Sequence, residues 1–311
     1  MSRHLPLAVA QLGPIARKEP RPAVVARLVA LLERAHARGA VLVVFPEMAL
    51  TTFFPRWHIT DEAELDGFFE AEMPSAATAP LFETAAKLGI GFYLGYCELV
   101  TAGNRKRRFN ASLLADGAGR ILGKYRKVHV PGSDVSDPAL PFQHLEQLYF
   151  ETGDLGFPVW EAFGARIGMC ICNDRRWPET YRVLALQGAE VVLLGYNTPA
   201  QLPDWPEQNE LRAFHHLVCM QAGAYQNGLW VAASGKAGCE EGVEMLAQSC
   251  IIAPSGQVVA LAQGRGDELL FCDCDLDQAR SYKRFHDLER NRKPEHYGPI
   301  AAPRKAPPAV T

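Results

Sequence analysis

Short apolar runs alternate along this chain with segments in which apolar residues recur every three or four positions. The runs are strand-sized, and the recurring pattern is typical of helices that bury one face. Pro22 and Gly39 flank the first helical pattern, as expected for a helix start and end. This part of the chain predicts strands over 5–11, 41–45 and 90–94, with helices over 24–35 and 80–88 between them.

The middle of the chain has a different pattern, because Gly-Asn and Asp-Gly turn signals separate its apolar segments. We expect an antiparallel meander over 96–100, 109–115 and 120–127. The rest repeats the first part in outline: strands over 166–172, 190–195, 230–234, 250–253, 257–262 and 269–274, with helices over 178–187 and 206–226. Alternating strands and helices indicate a layered α/β fold. Two sheets, each covered by helices on one face, would use all of these elements.

Three regions lack a regular pattern. Thr51–Ser75 is rich in aromatic and acidic residues, and Ser133–Pro141 mixes Asp, Ser, Pro and Gly; both are expected to be long loops of the kind that cover sites. The Pro-rich segment after Tyr297 cannot supply a core element. We therefore expect one domain over residues 1–297 and a tail over 298–311.

The composition of the chain excludes several classes of function. The chain has 311 residues, 48% of them hydrophobic and 22% charged, which is typical of globular proteins. A net charge of -3 with mixed signs provides no basic surface for nucleic acid or an anionic membrane, and the basic run Arg105–Arg108 fits a solvated hairpin turn. Apolar runs are too short to span a bilayer, and no leader pattern is present. These features predict a cytoplasmic protein with a small-molecule partner.

The eight cysteines suggest neither a disulfide framework nor a metal site. A long chain without a secretory pattern favours reduced thiols. Two Cys-x-Cys pairs, at 170/172 and 272/274, have the wrong spacing for zinc half-sites and no nearby histidine. We expect no metal and no cofactor.

Three reactive side chains each lie at the end of a predicted buried strand. Each has an ordinary interpretation: Glu47 as a cap of the next turn, Lys127 as a solvated charge and Cys172 as a small buried hydrophobe. Arg175 and Arg176 near the thiol would favour its thiolate form. Because open sheets place their sites at strand ends, the combination predicts one site that unites a thiol, a carboxylate and an amine.

The chain also resembles a known family. The stretches Phe-Pro-Glu47, Lys-Tyr-Arg-Lys127-Val-His and Cys172-Asn-Asp-Arg-Arg-Trp-Pro-Glu stand in the order and rough spacing of the three motifs of the nitrilase-type carbon-nitrogen hydrolases. The resemblance runs from Leu5 to about Tyr297. It implies an α/β four-layer α-β-β-α sandwich that assembles as a homodimer or homotetramer. Within this superfamily the chain resembles the N-carbamoyl-D-amino acid amidohydrolases in stretches 51–58, 141–146, 173–176, 196–199 and 214–216.

This resemblance implies a reaction and the residues that perform it. N-carbamoyl-D-amino acids would be hydrolysed to D-amino acid, ammonia and carbon dioxide through a thioester on Cys172. Glu47 would be the general base, Lys127 would stabilise the oxyanion, and Glu146 would orient Lys127. The resemblance assigns the substrate contacts to His144, Asn173, Arg175, Arg176, Asn197 and Thr198.

The substrate class also follows from residue types. Planar guanidinium groups such as those of Arg175 and Arg176 bind carboxylates through two parallel hydrogen bonds, so a substrate with a free carboxylate is indicated. The ordinary alternative is a surface ion pair with Asp174 or Glu179. The D preference is implied by the resemblance alone, and Ser133–Asp137 lacks the basic and aromatic residues expected there, which leaves the substrate range open.

Three other functions remain open. An amidase or nitrilase would share the fold, although Cys172-Asn173-Asp174 differs from the Cys-Trp-Glu of nitrilases. A papain-like thiol hydrolase would pair Cys172 with His129, His144 or His215. A binding protein that keeps the fold without catalysis is the third possibility.

Overall fold

A computed structural model describes residues 2–103, 105–140, 142–202 and 205–302. Its framework is two six-stranded sheets. The first has the order β14-β1-β2-β3-β4-β5, in which β1, β2 and β3 are parallel and the other neighbours are antiparallel. Its strands are β1 His4–Gln11, β2 Leu42–Val44, β3 Gly91–Ala102, β4 Arg105–Ala115, β5 Ile121–Arg126 and β14 Glu268–Asp275.

The second sheet repeats this plan with the order β13-β12-β9-β8-β7-β6. Here β7, β8 and β9 are parallel, and the outer neighbours are antiparallel. Its strands are β6 Val159–Ala162, β7 Ala165–Ile171, β8 Val191–Tyr196, β9 Trp230–Gly235, β12 Cys250–Ile252 and β13 Val258–Leu261. A separate hairpin is formed by β10 Ala237–Glu240 and β11 Val243–Leu246.

Helices cover the outer faces of the sheets. Helices α1 and α3 pack on the first sheet, and α5 and α6 pack together against the second. The helices are α1 Arg21–Ala37, α2 Glu62–Asp66, α3 Ala79–Leu88, α4 Glu146–Tyr149, α5 Pro178–Leu186, α6 Arg212–Asn227, α7 Leu276–His286, α8 Leu288–Asn291 and α9 Gly298–Ala301. This is the expected four-layer α-β-β-α sandwich. No helix of the described residues is long and apolar enough to span a membrane.

The period-two pattern of β1 shows how the layers are filled. Leu7 and Val9 lie in the core between the sheets, whereas Ala8 and Ala10 lie in the core beneath the helices. Successive side chains of a strand point to opposite faces, so a strand buried on both faces is apolar throughout. Each large apolar side chain removed from water contributes roughly 1.5–3 kcal/mol.

Two of the predicted elements are wrong in their boundaries. Strand β3 is continuous over Gly91–Ala102, although the sequence predicted two strands over 90–94 and 96–100. Gly95 does not interrupt the strand, because it pairs with Ser112 of β4; its missing side chain leaves space for another backbone. The long helix predicted over 206–226 begins as a 3-10 turn over Pro206–Leu211, and α6 starts only at Arg212.

The basic run Arg105–Arg108 lies in β4 and not in a solvated turn. Its side chains form ion pairs with acidic residues of two other segments. The partners are Glu62, Asp66, Glu151 and Asp154. Through these ion pairs the run connects the start of β4 to α2 and to the segment after α4.

The loop over Thr51–Ser75 is anchored by a buried ion network. Glu240 accepts hydrogen bonds from the backbone of Phe53 (2.7 Å) and forms ion pairs with Lys236 (3.0 Å) and Arg56 (3.1 Å). All three charged side chains are at most 4% exposed. The loop also contains a 3-10 turn over Phe54–Arg56 and α2, so it is more ordered than its sequence predicts.

Helix α7 and strands β6, β10 and β11 were not expected from the sequence. Helix α7 has a polar sequence, and only Leu276 and Ala279 of its residues are buried. The tail begins with the exposed helix α9, and the rest of it, over 303–311, lies outside the described residues. The division of the chain after residue 297 stays a prediction.

Candidate active site

Glu47 lies between the two sheets, shortly after β2. Its backbone passes between Gly95 of β3 and Gly195 of β8: a Cβ at Gly95 would lie 2.6 Å from the Glu47 Cα, and a Cβ at Gly195 would lie 2.5 Å from the Glu47 nitrogen. The carboxylate accepts hydrogen bonds from the Asn110 amide group and the Asn197 backbone N–H, both at 2.7 Å. Glu47 is thus fully buried and held from both sheets.

Lys127 follows β5 and reaches the same place. Its Nζ lies 2.8 Å from Glu47 Oε1 and 2.5 Å from Glu146 Oε2, and all three side chains are completely buried. Burial alone would lower the pKa of Lys127, but the carboxylates of Glu146 and Glu47 outweigh it and raise this pKa well above its usual value. Lys127 is therefore a fixed positive charge and not a proton acceptor.

Glu146, the first residue of α4, joins this network to a histidine. Burial would raise its pKa, but Lys127 and the hydrogen bond of the His144 ring lower the pKa of Glu146 to about 2. His144 Nε2 lies 2.7 Å from Glu146 Oε1, and its ring packs edge-on against Phe53 at 5.5 Å between centroids. Glu146 is therefore ionised, and the loop over 51–75 contacts the site through Phe53.

Cys172 lies just beyond β7, which ends at Ile171, and opens a 3-10 turn over Cys172–Arg176. Its φ is +47°, a left-handed conformation that costs about 1–3 kcal/mol in a non-glycine residue and is found mainly at functional turns. The Sγ lies 3.6 Å from the Asn197 carbonyl oxygen, and the residue is 5% exposed. The strained turn directs the thiol inward, toward the carboxylates.

Burial outweighs the effect by which a neighbouring arginine favours the Cys172 thiolate. Burial raises the pKa of the Cys172 thiol, and the Glu47 carboxylate raises it further, against the opposing charges of Lys127 and Arg175. Low dielectric disfavours the charged form, and here this outweighs the two cations. The thiol is thus protonated at rest and must lose its proton during attack.

Arg175 braces the turn that carries the thiol. One terminal nitrogen donates to the Cys172 carbonyl oxygen at 2.6 Å, and the other donates to Thr198 Oγ1 at 2.9 Å. The guanidinium lies 4.9 Å from the ring centroid of Tyr196. Arg175 is 1% exposed, and its buried Nε has no partner among the described residues. This buried donor is an unsatisfied polar group, which a bound ligand would satisfy.

Arg176, in contrast, is exposed, so only one of the two arginines is buried at the nucleophile turn. Neither makes an ion pair with Asp174 or Glu179 in the part of the chain that the structure describes. Asp174 instead organises the turn: it accepts hydrogen bonds from the Ile171 N–H at 2.9 Å and the Tyr125 hydroxyl at 2.8 Å.

The remaining predicted contacts lie around Cys172. The Asn173 amide group donates to the His129 carbonyl oxygen at 3.1 Å, and the Asn197 amide group donates to the Glu47 carbonyl oxygen at 2.9 Å. The structure thus gathers the predicted site residues around the buried Cys172 thiol, except that Arg176 is exposed. Sequence reasoning missed Asn110 and Asp174; the signal for Asn110 is a lone amide side chain in an apolar strand.

Among the described residues, no histidine ring contacts the Cys172 sulfur. The His129 ring is bound to Asp174 at 2.8 Å, the His144 ring is bound to Glu146, and His215 lies on α6 beside Phe214. This arrangement disfavours a papain-like pair. The described part of the chain also contains no group of three or more metal-ligating side chains.

Known proteins share this sequence and architecture. The chain is 28% identical over 279 residues to an N-carbamoylputrescine amidase of Arabidopsis thaliana, a match that covers 86% of each protein. It is 32% identical over 198 residues to a citrullinase of Francisella tularensis, covering 62% of this chain and 65% of that one. A carbon-nitrogen hydrolase of Helicobacter pylori G27 has the same fold, with a TM-score of 0.82, 22% identity and coverage of 96% and 99% of the two chains.

A family model described as carbon-nitrogen hydrolase matches residues 6–284, which include every strand except the start of β1 and all the residues of the site. The match covers most of the chain. The protein therefore belongs to the carbon-nitrogen hydrolase family of the nitrilase superfamily and is a hydrolase of carbon-nitrogen bonds other than peptide bonds.

Proposed function

We propose that the protein hydrolyses N-carbamoyl-D-amino acids to D-amino acid, ammonia and carbon dioxide. The observation that carries the proposal is a buried thiol beside a Glu47–Lys127–Glu146 network, with two arginines of the nucleophile turn that lack a carboxylate partner among the described residues. The network would carry out the reaction at the carbamoyl group, and the arginines would bind a carboxylate of the substrate.

In the first half of the reaction, Glu47 accepts the Cys172 proton as the sulfur attacks the carbamoyl carbon. Lys127 and the backbone N–H of Asn173 stabilise the negative charge that develops on the carbonyl oxygen. Because Lys127 is already charged, this stabilisation needs no proton transfer. Glu47 then gives its proton to the departing ammonia, and the carbamoyl group remains on the sulfur as a thioester.

In the second half, Glu47 removes a proton from water, which attacks the thioester. The carbon-sulfur bond breaks, the thiol is regenerated with that proton, and the released carbamate decomposes to carbon dioxide and the amino acid. Glu146 holds Lys127 in place together with Glu47, as a positioning residue. The orphaned Nε of Arg175, together with Arg176, His144 and Thr198, would bind the substrate.

The arginines also argue against N-carbamoylputrescine, the compound that the name of the Arabidopsis thaliana relative gives, as the substrate. Putrescine ends in an amine, which is a cation at neutral pH and would be repelled by guanidinium groups. Citrulline, the substrate that the other relative's name gives, has both a carbamoyl group and a carboxylate. A hydrolase acting on another carboxylate-bearing carbamoyl compound or amide is therefore the second candidate.

The test is ammonia release from matched substrates. N-carbamoyl-D-alanine, its L enantiomer, L-citrulline, N-carbamoylputrescine and propionamide are compared, with Cys172→Ala as the background control. We expect the D enantiomer to have the highest kcat/KM. Turnover of citrulline but not of N-carbamoyl-D-alanine would replace the proposal with the second candidate, and a preference for N-carbamoylputrescine would refute the role of the arginines. The homodimer or homotetramer expected from the sequence stays a prediction that sedimentation would check.

A further inference from the structure

A third arginine lies beside the two of the nucleophile turn. Arg212, the first residue of α6, is 8% exposed, and its Nε donates to the Pro199 carbonyl oxygen at 2.9 Å. Pro199 directly follows Thr198, whose hydroxyl accepts from Arg175. Arg212 and Arg175 therefore bind the same short loop after β8, and α6 packs against the turn that carries Cys172.

These three guanidinium groups have no counterion within the described residues. Every ion pair found there involves other cations. Burial lowers the pKa of Arg212 to about 10, and the charges of Arg176 and Arg175 contribute in the same direction, so the groups lie close enough to repel each other. Concentrated charge without a partner is typical of a site that an ionic ligand completes.

The carboxylates nearest the site are engaged by other groups of the protein. Glu47 and Glu146 pair with Lys127, and Asp174 accepts hydrogen bonds from the Ile171 N–H and the Tyr125 hydroxyl. None of these carboxylates forms an ion pair with Arg175, Arg176 or Arg212 among the described residues. The α-carboxylate of an N-carbamoyl amino acid is a single anionic group, so Arg212 is available to a second one.

The geometry of Arg212 suits a second anionic group. Its Nε is occupied by Pro199, but neither terminal nitrogen donates to a described residue, and neither is sealed from solvent. Two terminal nitrogens form the end of the guanidinium fork, which binds a carboxylate through two parallel hydrogen bonds. By contrast, both terminal nitrogens of Arg175 already have protein partners.

We propose that Arg212 binds a second anionic group of the substrate, so that the preferred substrates are N-carbamoyl amino acids with an acidic side chain, aspartate or glutamate. This inference rests on the proposed function and adds a side-chain specificity to it. A charge-assisted hydrogen bond contributes about 1.5–3 kcal/mol, which corresponds to roughly a 10- to 100-fold preference. We expect this preference in KM more than in kcat, since Arg212 does not contact the reacting atoms.

The experiment compares N-carbamoyl-D-glutamate with N-carbamoyl-D-glutamine, which have nearly the same shape and differ in charge. The protein should favour the glutamate compound at least tenfold in kcat/KM. Arg212→Gln should reduce this ratio to about one, Arg212→Lys should keep part of it, and Arg212→Glu should reverse it. Arg280→Gln, which removes a 70% exposed arginine of α7, is the matched control and should leave the ratio unchanged.

The outcomes separate the two proposals. Equal turnover of both compounds by the unaltered protein, or an undiminished preference in Arg212→Gln, would overturn the role of Arg212 and leave the proposed function intact. Absence of turnover of these compounds and of N-carbamoyl-D-alanine would overturn the proposed function itself. If Arg212→Gln fails to fold, as judged by thermal unfolding, the ratio in Arg212→Lys and its decrease with added salt decide the question.

Discussion

The position of Glu47 between two glycines leads to a sharp prediction. Gly195→Ala adds one methyl group to the inner face of β8, where the Glu47 nitrogen would lie 2.5 Å and the Pro46 carbonyl carbon 2.7 Å from the new Cβ. Both atoms belong to the backbone, and Gly95 of the opposite sheet already touches the same segment. The segment cannot turn aside as a flexible side chain would.

The size of the effect follows from these distances. Ordinary carbon contacts begin near 3.4 Å, so the Glu47 backbone must move by about 0.9 Å. A displacement of about 1 Å of a catalytic group costs on the order of 100-fold in rate. Overpacking of this kind also costs about 1–3 kcal/mol of stability, less than the ~5–15 kcal/mol of a typical domain. Gly195→Ala should therefore stay folded at 25 °C and lose roughly 100-fold in kcat.

The assay is steady-state ammonia release together with thermal unfolding and alkylation of Cys172 by iodoacetamide. Gly95→Ala, whose Cβ would lie 2.6 Å from the Glu47 Cα, should behave in the same way from the other sheet. Gly266→Ala is the matched control, because a Cβ there meets no atom within 4 Å. A folded Gly195→Ala protein with kcat within threefold of the unaltered protein would show that Glu47 need not be held in this position.

Three further predictions concern carboxylates. Glu47→Gln should abolish acylation of Cys172, seen as the absence of a covalent intermediate by mass spectrometry, whereas substantial acylation would favour a thiol-histidine mechanism. The pKa of Glu146 lies near 2, below its usual 4.5, so its stabilising effect is complete above pH 4.5 and is lost as the pH falls through about 2. The stability difference between the unaltered protein and Glu146→Gln should therefore shrink over that range in urea unfolding; a constant difference would contradict the ion pair. Glu240→Gln should cost about 3–5 kcal/mol, because it leaves two buried cations unpaired. Glu64→Gln, which breaks an exposed ion pair, is its control and should cost less than about 1 kcal/mol; equal losses would refute the distinction.

The sequence by itself determined the layers of this protein and the location of its site. Periods of two and 3.6 residues are local properties, so they revealed the strands and helices before any contact was known. The order of the elements, with strand-helix repeats in both halves, indicated two sheets whose central strands are parallel. Glu47 and Cys172 were visible because each follows a buried parallel strand, and open sheets place their sites at the ends of such strands. Lys127 follows β5, a partly exposed antiparallel edge strand, so only the fold shows why it reaches the same place.

Only the tertiary structure decided how those groups behave. The pKa of Cys172 depends on burial by residues far away in the chain, which outweighs the effect of the arginine beside it. Arg175 was expected to face the substrate, yet both of its terminal nitrogens donate to the protein, one to the Cys172 carbonyl and the other to Thr198, because folding brings β8 beside the nucleophile turn. The contact of Arg212 has no local signature, and the lone amide of Asn110 does not show by itself that it binds Glu47 and Glu146. Burial and charge balance are sums over neighbours in space, and a pattern along the chain contains only neighbours in sequence.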